Sequence, residues 1–431
     1  MRDNTSFVLC GDIAFSESKN KIVTYRKGYL VCVDGICKGA FNELPEEYRS
    51  LPLYDYGTRL IIPGMTDLHV HAPQYTFRGI GMDCELLDWL KNYAFQEEFK
   101  YYDMQYASKA YSFFTYDLKR CFSTRAVIFA TLHTEATIEL MTQLEKTGLI
   151  TYVGKVNMDR NSDNLQEADA SASLKATRQW LESIDGKFKN TKPILTPRFI
   201  PSCSNDLMRG IGQLSKETGL RIQSHLSENP SEVEWVKELV PESTCYANAY
   251  EIFDTMGTPD CPTIMAHCVY SDEREMKILK NHGAYIAHCA DSNMNLISGI
   301  APIKKFLDAG INIGLGTDVA AGSSMNMLKT ILITHQASKM YYRLVDNNVK
   351  PLTFEEIFYL ATAGGGRYFG KVGTFKPGYD FDAVIMDDSI MHTMRDISVR
   401  ERIERMCYND ADDIINEKFV KGKKVYSSIK A

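Results

Sequence analysis

The sequence predicts an α/β fold: a (β/α)₈ TIM-like barrel over residues 63–372, with residues 1–62 and 373–431 forming a second, small β-rich domain. Three observations carry this. Eight short apolar runs recur through the middle of the chain, helix-like stretches separate them, and polar side chains collect at their C-terminal ends. Alternation of strand and helix makes a parallel sheet, and eight strands are the number that closes into a barrel. A doubly wound open sheet is the rival architecture.

The first sixty residues read as strands and turns. "SFVLCGDIAFS" and "NKIVTYRKGYLVCVDGICKGAF" are rich in Val, Ile, Tyr and Phe, and "VDG" is a hairpin-like turn. The strand-like runs follow in order: "IIPGMTDLHVH", "AVIFATLHT", "ITYVGKVNM", "ILTPRFI", "RIQSHLSE", "TIMAHCV", "AYIAHCADSN" and "INIGLGTD". Between them, residues 135–147, 204–217, 272–281 and 302–309 have helical character. The C-terminal stretches "GTFKPGYDFDAVIMDD" and "KFVKGKKVYS" return to the texture of the N-terminus, so the two ends are expected to pair.

Composition excludes several classes. Of 431 residues, 44% are hydrophobic and 24% charged, as in soluble globular proteins. A net charge of −6 disfavours a nucleic-acid surface. The 11 cysteines include no C-x-x-C pair, against a disulfide framework or a cysteine-rich zinc module. Gly11 and Asp12 interrupt what a signal peptide would keep apolar, and no run approaches the ~20 residues of a membrane span. A cytoplasmic protein with no membrane partner is expected.

The chemistry sits at the run ends, which hold His69, His71, His133, His225, His267 and His288, six of the nine histidines, with Arg198 and Asp318. In a strand, residues i and i+2 share a face, so His69 and His71 can reach one metal ion. Glu228, three residues after His225, is placed to carry protons, though "ENPSE" also reads as a helix start. A carboxylate such as Asp318, closing an apolar Gly-rich run, needs a cation or donor if it is buried. His267 is either a ligand or a partner of the metal's water or the substrate. His133 and His288 read better as structural histidines. Lys155, a candidate bridge between two metals, falls in the third run, so one ion is expected rather than two.

Other motifs fail. "HTE" at 133–135 imitates part of a nucleobase-deaminase signature without its P-C-x-x-C. No Walker A run, strand-linked G-x-G-x-x-G or G-x-S-x-G elbow is present.

The order H-x-H, His, His, Asp at successive strand ends resembles the amidohydrolase superfamily of metal-dependent hydrolases. Within it, "PGMTDLHVHAPQYTFRGIGMD", "VGKVNMDRN", "TPRFIPSCS", "QSHLSEN", "MAHCVY", "AHCADSNMNLISG" and "GLGTDVAAG" are similar to the guanine deaminase family. The resemblance implies a β-sandwich for the composite terminal domain and one Zn²⁺ per chain, with Fe²⁺ as the alternative. It makes His69, His71, His225, His267 and Asp318 the metal site, and Glu228, Asp318 and His267 the catalytic groups. Gln74, Arg198, Phe199, His225 and Asp318 match the purine-binding positions. The implied reaction is hydrolysis of guanine to xanthine and ammonia by a homodimer, with a related purine, purine nucleoside or pterin deaminase, or a non-catalytic assembly protein, as alternatives. Ala321 departs from the pattern, where a glycine is expected.

Overall fold

The computed structural model describes residues 5–409 and 414–429. Eight parallel strand positions run through its centre. They are β1 (Met65–His71), β2 (Ser123–Phe129), β3 (Ile150–Gly154, resuming as Val156–Asn157) and β4 (Thr191–Pro193, resuming as Thr196–Pro197). β5 (Gln223–Leu226), β6 (Ile264–His267), β7 (Tyr285–His288) and β8 (Asn312–Leu315) complete the set. They form two four-stranded parallel sheets, β1 to β4 and β5 to β8. Both seams carry backbone bonds. Leu195 bridges Ile222 between β4 and β5. At the other seam Asp318 N donates to His69 O at 2.8 Å, and His71 N to Val319 O at 3.1 Å.

Side chains from five strands, among them Leu68, Val127, Ile194, Ile264, Ala266 and Ala287, pack into one buried cluster. The glycines of "GLG" follow from that crowding. A Cβ on Gly314 would stand 2.5 Å from Leu68, and one on Gly316 would stand 2.8 Å from the His69 Cβ. Strand eight can lie against strand one only without side chains there.

The expected helices appear as Thr134–Thr147, Asn205–Thr218, Glu273–Asn281 and Ile303–Asp308. A further helix, Met104–Arg120, lies in the long connection after β1. Asp103 caps its first turn, and Ala107, Ala110, Tyr111, Phe114 and Leu118 make its buried stripe. No helix among the described residues is long and apolar enough to cross a membrane.

The two ends of the chain do pair. Ala383–Met386 runs antiparallel to Leu60–Pro63 within one seven-stranded sheet built from both termini. One face, with Ala14, Leu60, Ile62, Val384 and Met386, joins the main core. The other encloses its own aromatic cluster, where Phe7 lies 5.4 Å from Phe381 and 5.3 Å from Phe419. The ladders among the described residues make this one sheet; the two separate sheets expected of a sandwich are not among them. The C-terminal segment also holds a helix, Val399–Tyr408, started by a Ser398–Glu401 capping box.

Candidate metal centre

The C-terminal ends of β1, β5, β6 and β8 converge. His69, His71 and His225 form one group of donor atoms within 4.8 Å of one another, and His69, His267 and Asp318 form a second. His69 belongs to both groups, so the five residues surround one place. Asp318 Oδ1 is 3.2 Å from His69 Nε2 and 3.5 Å from His71 Nε2. The Nε2 atoms of His71 and His225 approach to 3.2 Å.

Second partners fix several of these rings. His225 Nδ1 is bonded to Arg198 O at 2.7 Å, and His267 Nδ1 to Asn293 Oδ1 at 2.8 Å, which leaves each Nε2 for the centre. Asp67, buried beneath His69, accepts from Thr317 N, Thr317 Oγ1 and His69 N and ties β1 to the residues after β8. Burial raises its carboxyl to about 6, against the pull of those donors. His267 and Asp318 both have left-handed backbone, φ 73° and 47°. Such conformations are strained in non-glycine residues and concentrate at functional sites.

Electrostatics separate the two acids. Burial pushes the Glu228 carboxyl well above the ordinary value, with Asp318 and Glu232 adding to the effect. Burial acts the same way on Asp318, but His69 and His267 outweigh it and hold that group low. The two acids are thus driven apart, Glu228 toward its protonated form and Asp318 toward its ionised form. Burial pushes His71 and His225 far below the ordinary imidazole range and His267 down to about 4, which favours the neutral ring that metal ligation requires.

The residues fit a metal ion. Both nitrogens of His69, Nδ1 of His71 and Nε2 of His267 are buried without a hydrogen-bond partner. Orphaned polar atoms of this kind are costly, and a cation at their meeting point satisfies the inward-facing ones together.

A small cavity opens beside the cluster. His71, His225, His267, Asp318 and Glu228 line it, and so do Gln74, Arg198 and Phe199. Leu86, Trp89 and Leu90, from the connection after β1, supply apolar wall. Ala321 is in the wall as well, and its carbonyl accepts from Asn295 at 2.7 Å. All nine predicted site residues thus meet at one centre.

His133, His288 and Lys155 stand outside the donor groups. Lys155 is buried and pairs with Glu167 at 2.6 Å. His288 is buried with neither ring nitrogen partnered, and burial pushes it down to about 3. Three contributors went unread in the sequence: Asp67, Asn293 and Glu98. Asp67 carried a signal, since it shares a strand face with His69 and His71. Glu98 carried none.

Parallel strands with a histidine-rich donor cluster at their C-terminal ends define a metal-site α/β hydrolase. The sequence model of the amidohydrolase family matches residues 60–425. The chain is similar to the guanine deaminase of Dictyostelium discoideum, 36% identical over 379 residues, covering 86% of this chain and 83% of that one. It is 35% identical to the Homo sapiens guanine deaminase, covering 88% and 85%. A solved guanine deaminase from C. acetobutylicum, with guanine bound in its active site, superposes with a TM-score of 0.94 at 42% identity. That match covers 98% of this chain and 100% of that one. The chain belongs to the amidohydrolase family and, within it, to the guanine deaminases.

Proposed function

We propose that the chain hydrolyses guanine to xanthine and ammonia in the cavity beside the donor cluster. One observation carries this reading: one cavity joins the five-residue donor cluster, Glu228 with its raised carboxyl, and a polar wall of Arg198 and Gln74. The guanine-bound relative supports the choice of substrate.

His69, His71, His225, His267 and Asp318 hold one ion, zinc or ferrous iron, both suited to imidazole and carboxylate donors. When bound, zinc lowers the pKa of water to ~7 and so supplies a nucleophile near neutral pH. The chain's own groups move the protons. Asp318 takes a proton from water as its oxygen adds to C2, the carbon bearing the amino group. Glu228 gives its proton to the neighbouring ring nitrogen, so charge does not build on the purine. Asp318 then passes its proton to the amino group, ammonia leaves, and the new hydroxyl returns a proton to Glu228. Each transfer group contributes ~10²–10⁴-fold.

Arg198 can only donate, and it suits the C6 oxygen of guanine where adenine would present an amino group. Phe199 offers a ring to pack on the base. On the same reading, residues 63–372 are a closed barrel, and residues 1–62 with 373–431 are its composite β domain. The enzyme works as a cytoplasmic homodimer.

The test is ammonia release from guanine, adenine, cytosine and nucleosides, with metal content measured alongside. Strong preference for guanine over adenine is expected. Arg198→Ala should collapse kcat/KM for guanine with its metal retained. Comparable rates on both bases, or a variant that still prefers guanine as strongly, would overturn the assignment.

A further inference from the structure

Arg198 does not stand alone in the cavity wall. Its Nη1 donates to Glu98 Oε2 at 2.8 Å and its Nη2 to Glu98 Oε1 at 2.9 Å. Gln74 Nε2 donates to the same Oε1 at 2.7 Å, and Gln74 Oε1 accepts from Ala320 N at 3.3 Å. Glu98, Gln74 and Arg198 are each at most 2% exposed. Glu98 comes from the helical turn Phe95–Phe99, in the connection that also supplies Leu86, Trp89 and Leu90 to the cavity. It is absent from the lining itself, so it acts on a ligand only through its two partners.

We propose that Glu98 is the positioning residue that sets guanine specificity, by fixing Gln74 and Arg198 so that both present N–H donors to the purine's C6 edge. The inference rests on the guanine reading above. An ionised carboxylate accepts and does not donate. Facing Gln74, it admits only the amide nitrogen and turns the amide oxygen toward the backbone N–H of Ala320. A free glutamine amide could rotate and offer its oxygen instead, which would welcome an amino group at C6. Facing Arg198, the same carboxylate grips the guanidinium end-on through two parallel bonds; Nη1 also reaches Met158 Sδ at 3.9 Å, which leaves Nε–H and the second Nη2 hydrogen for the ligand. It also balances a buried positive charge, so the wall is donor-rich without being a general anion trap.

The discriminating substrate is 2,6-diaminopurine. It keeps the reactive 2-amino group and carries an amino group in place of the C6 oxygen, with a bare N1 where guanine has N1–H; hydrolysis at C2 yields isoguanine and ammonia. The wild-type enzyme should favour guanine strongly, because buried donors reject a mispaired analogue by up to ~10⁴–10⁵-fold. Glu98→Gln, whose own amide can donate to Gln74 and reverse it, should cut the guanine to 2,6-diaminopurine ratio of kcat/KM by about tenfold or more. The loss should fall mainly on KM for guanine, with metal content unchanged. Glu98→Asp, one methylene shorter, cannot span both partners and should shift the ratio in the same direction; it decides the matter where the amide variant does not fold. A soluble, metal-loaded variant of either kind that keeps the wild-type ratio overturns the role of Glu98 while leaving the deaminase reading intact. A metal-loaded wild-type enzyme that releases no ammonia from guanine overturns both.

Discussion

Glu228 shows how a single residue acquires a role from its surroundings. Its Oε2 is 3.3 Å from His267 Nε2, and it lies outside both donor groups. Glu228→Gln should therefore retain the metal yet lose ~10²–10⁴-fold in kcat, as expected when a proton carrier is removed; a variant with near-normal kcat would pass that role to another group. His288 gives a test of stability. Its native value of about 3 lies below the unfolded value of 6.5, so in that window the unfolded chain binds a proton that the native state refuses. Stability falls as pH drops below 6.5, by about 1.4 kcal/mol per unit from this group, and the loss levels off near 3. Denaturant titrations of the wild type and His288→Leu at pH 7 and pH 5 should differ in their pH dependence by about 2 kcal/mol; equal dependence would remove His288 from the acid response. At this scale the donor cluster was legible, since H-x-H and the closing Asp are local patterns. Glu98 was not, because its partner Arg198 is 100 positions away and no spacing rule joins them.

Elements are locked together by buried charge as well as by apolar packing. Arg125, on β2, donates to Asp382 at 2.7 Å and to Asp380 at 2.8 Å, and it is 3% exposed. The pair ties a central strand to the loop leading into the terminal sheet. Arg125→Met leaves a carboxylate at Asp382 buried without its partner, at a cost of about 3–5 kcal/mol. Urea unfolding should show that loss, while kcat of the folded fraction stays near wild type because Arg125 lies toward the N-terminal end of β2 and lines neither the donor groups nor the cavity; a loss under 1 kcal/mol would show that water replaces the arginine. Reading elements from sequence succeeded for strands, whose run ends carry polar residues. Helix Met104–Arg120 was missed for a physical reason. Its buried stripe is regular, but Phe113 and Tyr116, 50% and 61% exposed, put aromatic residues on its outward face as well and give the segment a strand-like texture. The helix Val399–Tyr408 was hidden in the same way, between stretches whose β texture dominated the C-terminus.

For the whole molecule, the parallel core was legible because alternation of run and helix repeats along the chain, whereas the form of the terminal sheet depends on pairing between residues more than 300 positions apart, such as Ile61 with Ile385. The metal centre depends on that global assembly too. Its five donor residues come from β1, β5, β6 and the residues after β8, so no local segment can form the cluster, and metal binding there would report on the complete fold. Because His69 is common to both donor groups, one ion can be shared by all five residues, which is the occupancy proposed above. Chelation should therefore lower Tm, and adding zinc or ferrous iron back should restore it with saturation at one equivalent per chain. The size of the shift follows from mass action: free metal at one hundred times its Kd stabilises the native state by about 2.7 kcal/mol. Elemental analysis giving two tightly held ions, or an active preparation with none, would contradict the single shared centre, and an unchanged Tm after complete metal removal would show that the five donors are held in place without it.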